Sequence, residues 1–490
     1  MLTDSFPLET KCVTFSLWSN FQPSVRILST LKNPYSPTLV SCLCNNLFRW
    51  RNMASKLQKA PLLRLFMSRG FSQLAPVSGN PNYELKTTIL SNKLTVVCAD
   101  NESSLVRVSV IFRAGSRYES SDNLGVTHVL RTAAGLSTKN ASQFAIIRNI
   151  QQVGANLTAT SDRETISYTL EGTRQAVEKV LPFLTEVATQ QIFKPWEVSD
   201  ITSRLQLDIA TRSLPLRAID LLHNAAFRTG LGNSMFIPKS QIGKISSETL
   251  QHYVASNFLS GRAAVIGFGI DQSELIHYAQ TLNIESGEGC NNSSSYKGGE
   301  LRSNKGGDVA FVTVAGEGAS LKDPKEALAF AILQKAIGVG PQVKWGNNNG
   351  IFSRVVGTGE HTSSAINVSY SDTGLFGILI GTPAKSAGKL VESAVKLLRS
   401  GSVSDEDVNR GKKQLKSSLL LEAESGADAV RDIASQSVLT GNPQTASQIV
   451  AAVDSICTSD VRDALRNAGR KITLASIGNL SNVPYLDELK

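Results

Sequence analysis

Two stretches, ANLTATSDRETISYTLEG (155–172) and SAINVSYSDTGLFGILIG (364–381), share one pattern, and together they decide the fold. Each stretch alternates small polar with apolar residues, passes through a polar turn, and then alternates again. Period-two patterning on both sides of a polar turn predicts a β-hairpin. The two predicted hairpins lie about 210 residues apart, which indicates an internal repeat.

The same offset recurs in the segments that flank the two hairpins. An apolar stripe at helical spacing follows the first hairpin (TRQAVEKVLPFLTEVA, 173–188), and AKSAGKLVESAVKLLRS (384–400) follows the second. Each half opens on a predicted strand and closes on another: VRVSVIFRAGS (106–116) and AAVIGFG (263–269), then DVAFVTVAGEGAS (308–320) and ITLASIG (472–478). The repeat predicts an α+β fold of two homologous halves in tandem, each a mainly antiparallel sheet covered by helices.

The repeat also predicts the domain boundaries. The N-terminal half covers residues 72–283, and the C-terminal half covers residues 308–490. Residues 284–307 are rich in Gly, Ser and Asn and contain few apolar residues, which is typical of a flexible linker. Residues 1–71 precede the repeat and have a different composition.

Residues 1–71 carry most of the positive charge of the chain. They contain nine Lys and Arg and only two acids, so they hold +7 of the net charge of +9. Lys, Arg, Ser and Leu on a helical period after Met53 are typical of a mitochondrial transit peptide, and RGFS (69–72) predicts cleavage after Phe71. Either Met1 or Met53 serves as the start. The remaining residues carry only +2, so a nucleic-acid partner is not predicted.

Two other properties exclude further classes of protein. No run of about 18 apolar residues predicts a membrane span. The six cysteines include no Cys-x-x-Cys pair, so neither a disulfide framework nor a zinc knuckle is predicted.

One segment, LGVTHVLRT (124–132), has part of the pattern of a zinc site. Zinc peptidases of the inverted type carry His-x-x-Glu-His on a helix, with two His ligands one turn apart and a Glu base. Here His128 occupies the first ligand position, Arg131 replaces the base, and Thr132 replaces the second His. The other histidines (His223, His252, His277 and His361) share no ligand spacing.

Several of these segments resemble the pitrilysin-type (M16) metallopeptidase family, from about residue 83 to the C-terminus. AGSRYES (114–120) followed by LGVTHVL (124–130) is similar to the start of the family's zinc helix, and YSDTGLFGI (370–378) is similar to its C-terminal half. The resemblance implies a distal Glu ligand near residues 203–209. That window contains only Asp208 as an acid, and residues 198–247 contain no Glu.

These departures predict that the chain is not an enzyme. A guanidinium about 5 Å from Zn²⁺ would oppose metal binding by about 6–7 kcal/mol at an effective dielectric constant near 20. Arginine cannot escape this repulsion by losing its proton. We therefore predict no catalytic, cofactor-binding or metal-binding residue, and a structural role for His128.

A second resemblance concerns function. IGVGPQVKWGNNNGIFSRV (337–355) is similar to the core subunits of the mitochondrial cytochrome bc1 complex (complex III) within this family. The resemblance implies a non-catalytic, matrix-facing subunit that is peripheral to the inner membrane, binds no cofactor and supports assembly. Its implied partners are core protein 1, cytochrome b, cytochrome c1 and the iron–sulfur protein.

Two alternatives come from other classes. One is the noncatalytic α-type subunit of the mitochondrial processing peptidase, which binds presequences; for this subunit GNNNG (346–350) would be the relic of a glycine-rich loop. The low density of glycine in that loop argues against this alternative. The other is an active zinc peptidase, against which the absent ligands argue.

Overall fold

The computed structural model of the chain describes residues 83–100, 103–289, 293–340, 350–357 and 359–489. The predicted leader, residues 1–71 with Met1 and Met53, lies outside these ranges. So does the GNNNG loop, except for Gly350.

The described strands form two sheets. The first has the order β1-β2-β6-β3-β5-β4, and the second has the order β7-β11-β8-β10-β9. The strands of the first sheet are β1 (Leu85–Ile89), β2 (Thr95–Ala99), β3 (Leu105–Phe112), β4 (Asn156–Ser161), β5 (Ile166–Thr173) and β6 (Ala263–Phe268). Those of the second are β7 (Glu300–Asn304), β8 (Val309–Gly318), β9 (Thr362–Ser369), β10 (Gly374–Pro383) and β11 (Thr473–Gly478).

Helices connect and cover these sheets. In the N-terminal half they are α1 (Val126–Thr132), α2 (Gln143–Gln152), α3 (Arg174–Thr189), α4 (Pro195–Asp200), α5 (Thr202–Thr211), α6 (Leu214–Phe227), α7 (Ser247–Asn257) and α8 (Gln272–Thr281). In the C-terminal half they are α9 (Pro324–Ile337), α10 (Ile351–Val356), α11 (Ala387–Ser400), α12 (Asp405–Glu424), α13 (Gly426–Leu439), α14 (Ala446–Ser455) and α15 (Thr458–Gly469). Among the described helices, none is long and apolar enough to cross a membrane.

Both predicted hairpins are confirmed. Strand β4 pairs antiparallel with β5, and β9 pairs antiparallel with β10. Along β5 the residues Ile166, Tyr168 and Leu170 are buried, whereas the residues between them are partly exposed. Side chains of a strand alternate between the two faces of the sheet, so this alternation places one face of the hairpin on the core.

The two sheets repeat one topology. The second sheet, β7-β11-β8-β10-β9, matches the order β2-β6-β3-β5-β4 of the first, and β1 is an added edge strand. In both sheets one pair is parallel, β2 with β6 and β7 with β11, and the other pairs are antiparallel. The predicted fold class, two homologous α+β halves in tandem, is confirmed.

One strand of the second sheet lies inside the segment predicted to be a flexible linker, 284–307. Strand β7 pairs in parallel with β11, from Glu300 opposite Leu474 to Asn304 opposite Gly478. The prediction of flexibility was wrong for these five residues, because their backbone groups are tied into the sheet. The domain boundaries themselves remain a prediction.

Each sheet is covered on one face by helices of its own half and on the other face by a helix of the other half. On the first sheet Val97, Ile111 and Ile266 face away from the main core of the N-terminal half. Residues Val430 and Ile433 of α13, from the C-terminal half, cover them.

The second sheet receives the equivalent cover from the N-terminal half. Leu222 and Phe227 of α6 contact Leu375 and Ala475, and Ala218 of the same helix contacts the same face nearby. Helices α6 and α13 occupy equivalent places in the repeat. Each half therefore covers the sheet of the other half with the same helix of the repeat, and we call α6 and α13 the exchanged helices.

Candidate functional site

Helix α1 is positioned at its N-terminus by Gly125 and Glu119. Gly125 has a φ of 89°, and a Cβ there would lie 2.4 Å from the Cα of Ile237, so only glycine fits. The Glu119 carboxylate accepts hydrogen bonds from the backbone N–H of Gly125 (2.7 Å) and of Thr127 (2.9 Å). It therefore binds the positive end of the helix dipole, although burial raises its pKa to about 7.

His128 is fully buried on this helix, and both of its ring nitrogens have polar neighbours. Nδ1 accepts a hydrogen bond from the Ile237 N–H (3.3 Å), so the proton of the neutral ring lies on Nε2. Nε2 lies 3.4 Å from Oδ2 of Asp208. Burial, followed by the charge of Arg131, lowers the pKa of His128 to about 4, although Asp208 opposes the shift.

Arg131 and Thr132 occupy the positions of the catalytic base and the second His ligand in the zinc motif, but their contacts do not fit these roles. The Arg131 guanidinium carbon lies 5.6 Å from the centre of the Phe236 ring, and that of Arg212 lies 4.4 Å from the same centre. Burial lowers the pKa of Arg131. The Thr132 hydroxyl donates a hydrogen bond to the carbonyl of His128 (2.9 Å), within its own helix.

The position of Asp208 is the feature that sequence reasoning missed. The residue lies on α5, 80 positions after His128, and its carboxylate faces the imidazole. One signal was present in the sequence: Asp208 is the only acid in the window 203–209, where the family resemblance implies a distal ligand. Asp208 follows the buried Leu205 by three residues, so the two side chains share the inward face of the helix.

The described residues contain no group of three or more His, Cys, Asp or Glu side chains that could hold a metal ion. At the start of α1 the structure brings together two such side chains, His128 and Asp208. Catalytic zinc sites normally have three protein ligands. The remaining histidines lie on separate elements: His223 on α6, His252 on α7, His277 on α8, and His361 just before β9.

A second polar cluster joins the two halves at the turns of the two hairpins. Arg117 forms an ion pair with Glu164 (2.6 Å), and its Nη1 also donates to Oδ1 of Asp372 (2.9 Å). The backbone N–H of Ser371 donates to Glu164 (3.0 Å). Arg117 and Glu164 are almost fully buried. The motifs AGSRYES and YSDTGLFGI therefore contact each other, which their positions in the sequence did not predict.

His223 belongs to the same junction. Its Nδ1–H donates to the carbonyl of Ile219 (2.8 Å), and its Nε2 accepts from the hydroxyl of Tyr370 (2.8 Å). Burial lowers its pKa well below the ordinary value. A neutral histidine with both nitrogens bonded joins α6 to the second hairpin.

Comparison with known proteins identifies the family. The model described as Insulinase (Peptidase family M16) matches residues 95–239, and the Peptidase M16 inactive domain matches residues 244–415. The chain belongs to the M16 peptidase family.

Relatives in this family come from two groups. The mitochondrial cytochrome b-c1 complex subunit 2 of Mus musculus is 36% identical over 446 residues, which cover 88% of this chain and 97% of the mouse protein. The Homo sapiens subunit 2 is 36% identical over 429 residues, which cover 85% and 94%. A probable mitochondrial-processing peptidase subunit alpha-2 of Arabidopsis thaliana is 27% identical over 425 residues, which cover 83% and 85%.

A solved structure supports the fold independently. A chain of complex III2 from Candida albicans, with Inz-5 bound, matches with a TM-score of 0.68 at 20% identity. The match covers 83% of this chain and 99% of that chain.

Proposed function

We propose that this chain is a non-catalytic core subunit of the mitochondrial cytochrome bc1 complex (complex III), equivalent to core protein 2. The observation that carries the proposal is its 36% identity to the mouse subunit 2 along 97% of that protein. Identity to the processing-peptidase α relative is lower, at 27%. In this role the chain supports assembly and stability of the complex that transfers electrons from ubiquinol to cytochrome c.

The surroundings of His128 support the non-catalytic part of the proposal. A zinc peptidase needs a base that takes a proton from the metal-bound water. Arg131 carries a positive charge at that position and has no proton-accepting atom. The Thr132 hydroxyl donates its hydrogen bond to the helix backbone and does not replace the second His ligand. Of the possible zinc ligands, only His128 and Asp208 face each other here.

The proposed location is the matrix side of the mitochondrial inner membrane. The chain is peripheral there and is held by core protein 1, cytochrome b, cytochrome c1 and the iron–sulfur protein. The acid-poor leader, residues 1–71, supports import.

The mature chain is expected to begin at Ser72 or within one or two residues of it. N-terminal sequencing of the protein from mitochondria tests this; an intact Met1 or Met53 would contradict it.

The alternative is the presequence-binding α-type subunit of the mitochondrial processing peptidase. The relative from Arabidopsis thaliana favours this alternative because it spans most of the chain. The GNNNG loop, on which the alternative depends, contains few glycines and lies largely outside the described residues.

One experiment separates the two functions. The tagged full-length chain is expressed in mitochondria, and the membranes are solubilised in mild detergent and separated on a native gel. Mass spectrometry of the tagged band is expected to find cytochrome b and cytochrome c1. A band that instead contains a zinc-binding processing-peptidase subunit, without either cytochrome, would replace the proposal with the alternative.

A further inference from the structure

A cavity between the two halves has a wall of unusual charge. Its volume is about 780 Å³, within the usual range of roughly 300–1,000 Å³ for small-molecule sites. The N-terminal half contributes the end of α5, the start of α6 and the loop 234–242, and the C-terminal half contributes the end of β7 and a residue of β11. Phe236 and Ile237 lie between the cavity and His128.

Positive side chains outnumber negative ones in this wall. The cations are Arg212, Arg217, Lys239 and Lys305, and the single acid is Asp220.

Asp220 is already neutralised by other groups. It accepts a hydrogen bond from Arg163 (2.8 Å) and another from the Ser234 hydroxyl (2.6 Å), and Arg212 lies 3.6 Å away. Asp220 therefore forms ion pairs with both Arg163 and Arg212, and as the single acid it offsets at most one of the four positive charges of the cavity wall.

The guanidinium of Arg212 has a fixed orientation in this wall. Its Nε is buried, and no described residue accepts a hydrogen bond from it. The guanidinium lies against the Phe236 ring, with 4.4 Å between the guanidinium carbon and the ring centre, which fixes its plane. Burial lowers the pKa of Arg212; the Asp220 carboxylate opposes this shift, and the neighbouring Arg217 and Arg163 add to it. Arg212 lines the cavity, so its guanidinium is a donor group for an anion there.

The rest of the wall is apolar. It includes Ile209, Leu221, Phe236, Ile237, Ile242 and Ile477. A ligand that fits therefore has a multivalent anionic group and an apolar or planar part. Arginine binds phosphate oxygens through paired N–H donors, and lysine adds a point charge.

We propose that this cavity binds a phosphate-bearing small molecule, with the phosphate against Arg212 and the two lysines at the rim. The proposal goes beyond the role of the chain as a core subunit. Because Lys305 follows β7 and Arg212 follows α5, a bound phosphate joins the two halves. Nucleotides and phospholipids share this chemistry, so the experiment uses a probe of each kind.

The test compares two double variants of the purified full-length chain. Lys239→Gln with Lys305→Gln removes two charges from the cavity wall, where both side chains are exposed. Lys179→Gln with Lys413→Gln removes two exposed charges from α3 and α12, away from the cavity. The two variants have the same net charge, so the second is the matched control for long-range attraction.

Binding is measured by calorimetry at low ionic strength, with ATP, short-chain phosphatidic acid below its micelle concentration, and inorganic phosphate as probes. Saturable binding of ATP or of phosphatidic acid is expected, and whichever binds more tightly identifies the source of the phosphate. The cavity variant should weaken it about tenfold or more, and the control should change it less than about twofold. Added salt should weaken binding to the wild type.

Two outcomes would overturn the proposal. One is that neither ATP nor phosphatidic acid binds to the wild-type chain at millimolar concentration. The other is equal weakening in the two double variants, which would show attraction to net charge rather than to this cavity. Arg212→Lys supplies a further measurement: it retains the charge and removes the planar guanidinium with its paired donors, so it should weaken binding of the tighter-binding probe while leaving attraction by net charge unchanged.

Discussion

At the scale of single residues, three side chains around the imidazole of His128 determine what that imidazole can bind. Arg131 and Arg212 both contact the Phe236 ring, and Asp208 faces Nε2 of His128. The positive charges of the two arginines disfavour binding of a metal cation at His128, whereas the Asp208 carboxylate favours it. Among these charges, that of Arg131 lowers the pKa of His128 most.

Restoring the zinc motif tests this balance. The double variant Arg131→Glu, Thr132→His places two imidazoles one helical turn apart and removes the nearest cation. Asp208, at 3.4 Å from Nε2 of His128, then supplies a third ligand. The double variant is expected to bind one equivalent of zinc, and the wild type none, as measured by elemental analysis after dialysis.

Asp208→Asn in the same background is the control for the third ligand. It should weaken zinc binding by about tenfold or more, because an amide is a poor zinc ligand. Equal zinc binding with and without the Asp208→Asn substitution would show that this carboxylate does not reach the metal.

The pH dependence of stability is a second prediction at this scale. The folded-state pKa of His128 is lowered to about 4 from 6.5, so the unfolded chain takes up a proton first as the pH falls. Its contribution to stability is complete above pH 6.5 and is lost between pH 6.5 and about pH 4.

Between pH 7 and pH 5 this residue should account for about 2 kcal/mol of the loss in unfolding free energy. Urea unfolding of the wild type and of His128→Gln at both pH values measures it. Contributions from Glu119 and His223 cancel in the difference between the two proteins. The prediction would be wrong if the variant lost as much stability as the wild type over this interval.

Sequence reasoning reached some of these residues and not others. His128, Arg131 and Thr132 could be interpreted because helical spacing fixes which side chains share a face. The ion pair of Arg117 with Asp372 joins residues that are more than half the described chain apart, and no local pattern encodes such a contact. Asp208 lay between these extremes, because the family resemblance marked residues 203–209 for a ligand, but the sequence did not show that Asp208 faces His128.

At the scale of elements, the exchanged helices α6 and α13 stabilise both sheets. Ile433 is 2% exposed and contacts the first sheet from the other half of the chain. Ile433→Ala should lower the unfolding free energy by about 2–5 kcal/mol, because it removes buried methylenes and leaves a cavity. Chemical denaturation at pH 7 measures the change.

Leu421 on α12 provides the matched control, since it is also a large aliphatic residue on a helix of the C-terminal half but is 64% exposed. Leu421→Ala should change the unfolding free energy by less than about 0.5 kcal/mol. Similar effects of the two substitutions would show that the contact of α13 with the first sheet contributes little.

Elements were predicted where they had a clear period. The two hairpins and α3 followed from alternation and from an apolar helical face, since both depend on nearby residues only. Strand β7 was missed because it is a short edge strand, partly exposed along most of its length, so it has no apolar period. The segment of α4 and α5 corresponds to the single helix α12 of the other half, and only the structure shows that it is divided at Ile201.

At the scale of the whole molecule, the two halves should remain associated without a covalent link between them. A protease site inserted between Gly289 and Ser293 would allow the chain to be cut there. The two fragments are expected to elute together from a size-exclusion column, because each covers a sheet of the other and the ion pair of Arg117 with Asp372 joins them. Denaturing gels would verify the cut.

The cut protein should also show unfolding that depends on its concentration, because dissociation then accompanies unfolding. The uncut protein is the control and should show none. Separate elution of the two fragments would contradict the prediction and would assign most of the stability to each half alone.

The reciprocal cover of the sheets has a consequence for a chain that emerges gradually, from a ribosome or from an import channel. Val97, Ile111 and Ile266 meet their partners on α13 only after nearly the whole polypeptide has emerged. Until then the first half carries an uncovered apolar sheet, which is a surface prone to aggregation. Completion of the first half thus waits for the second, and the uncovered sheet is a surface to which a chaperone for apolar segments could bind in the interval.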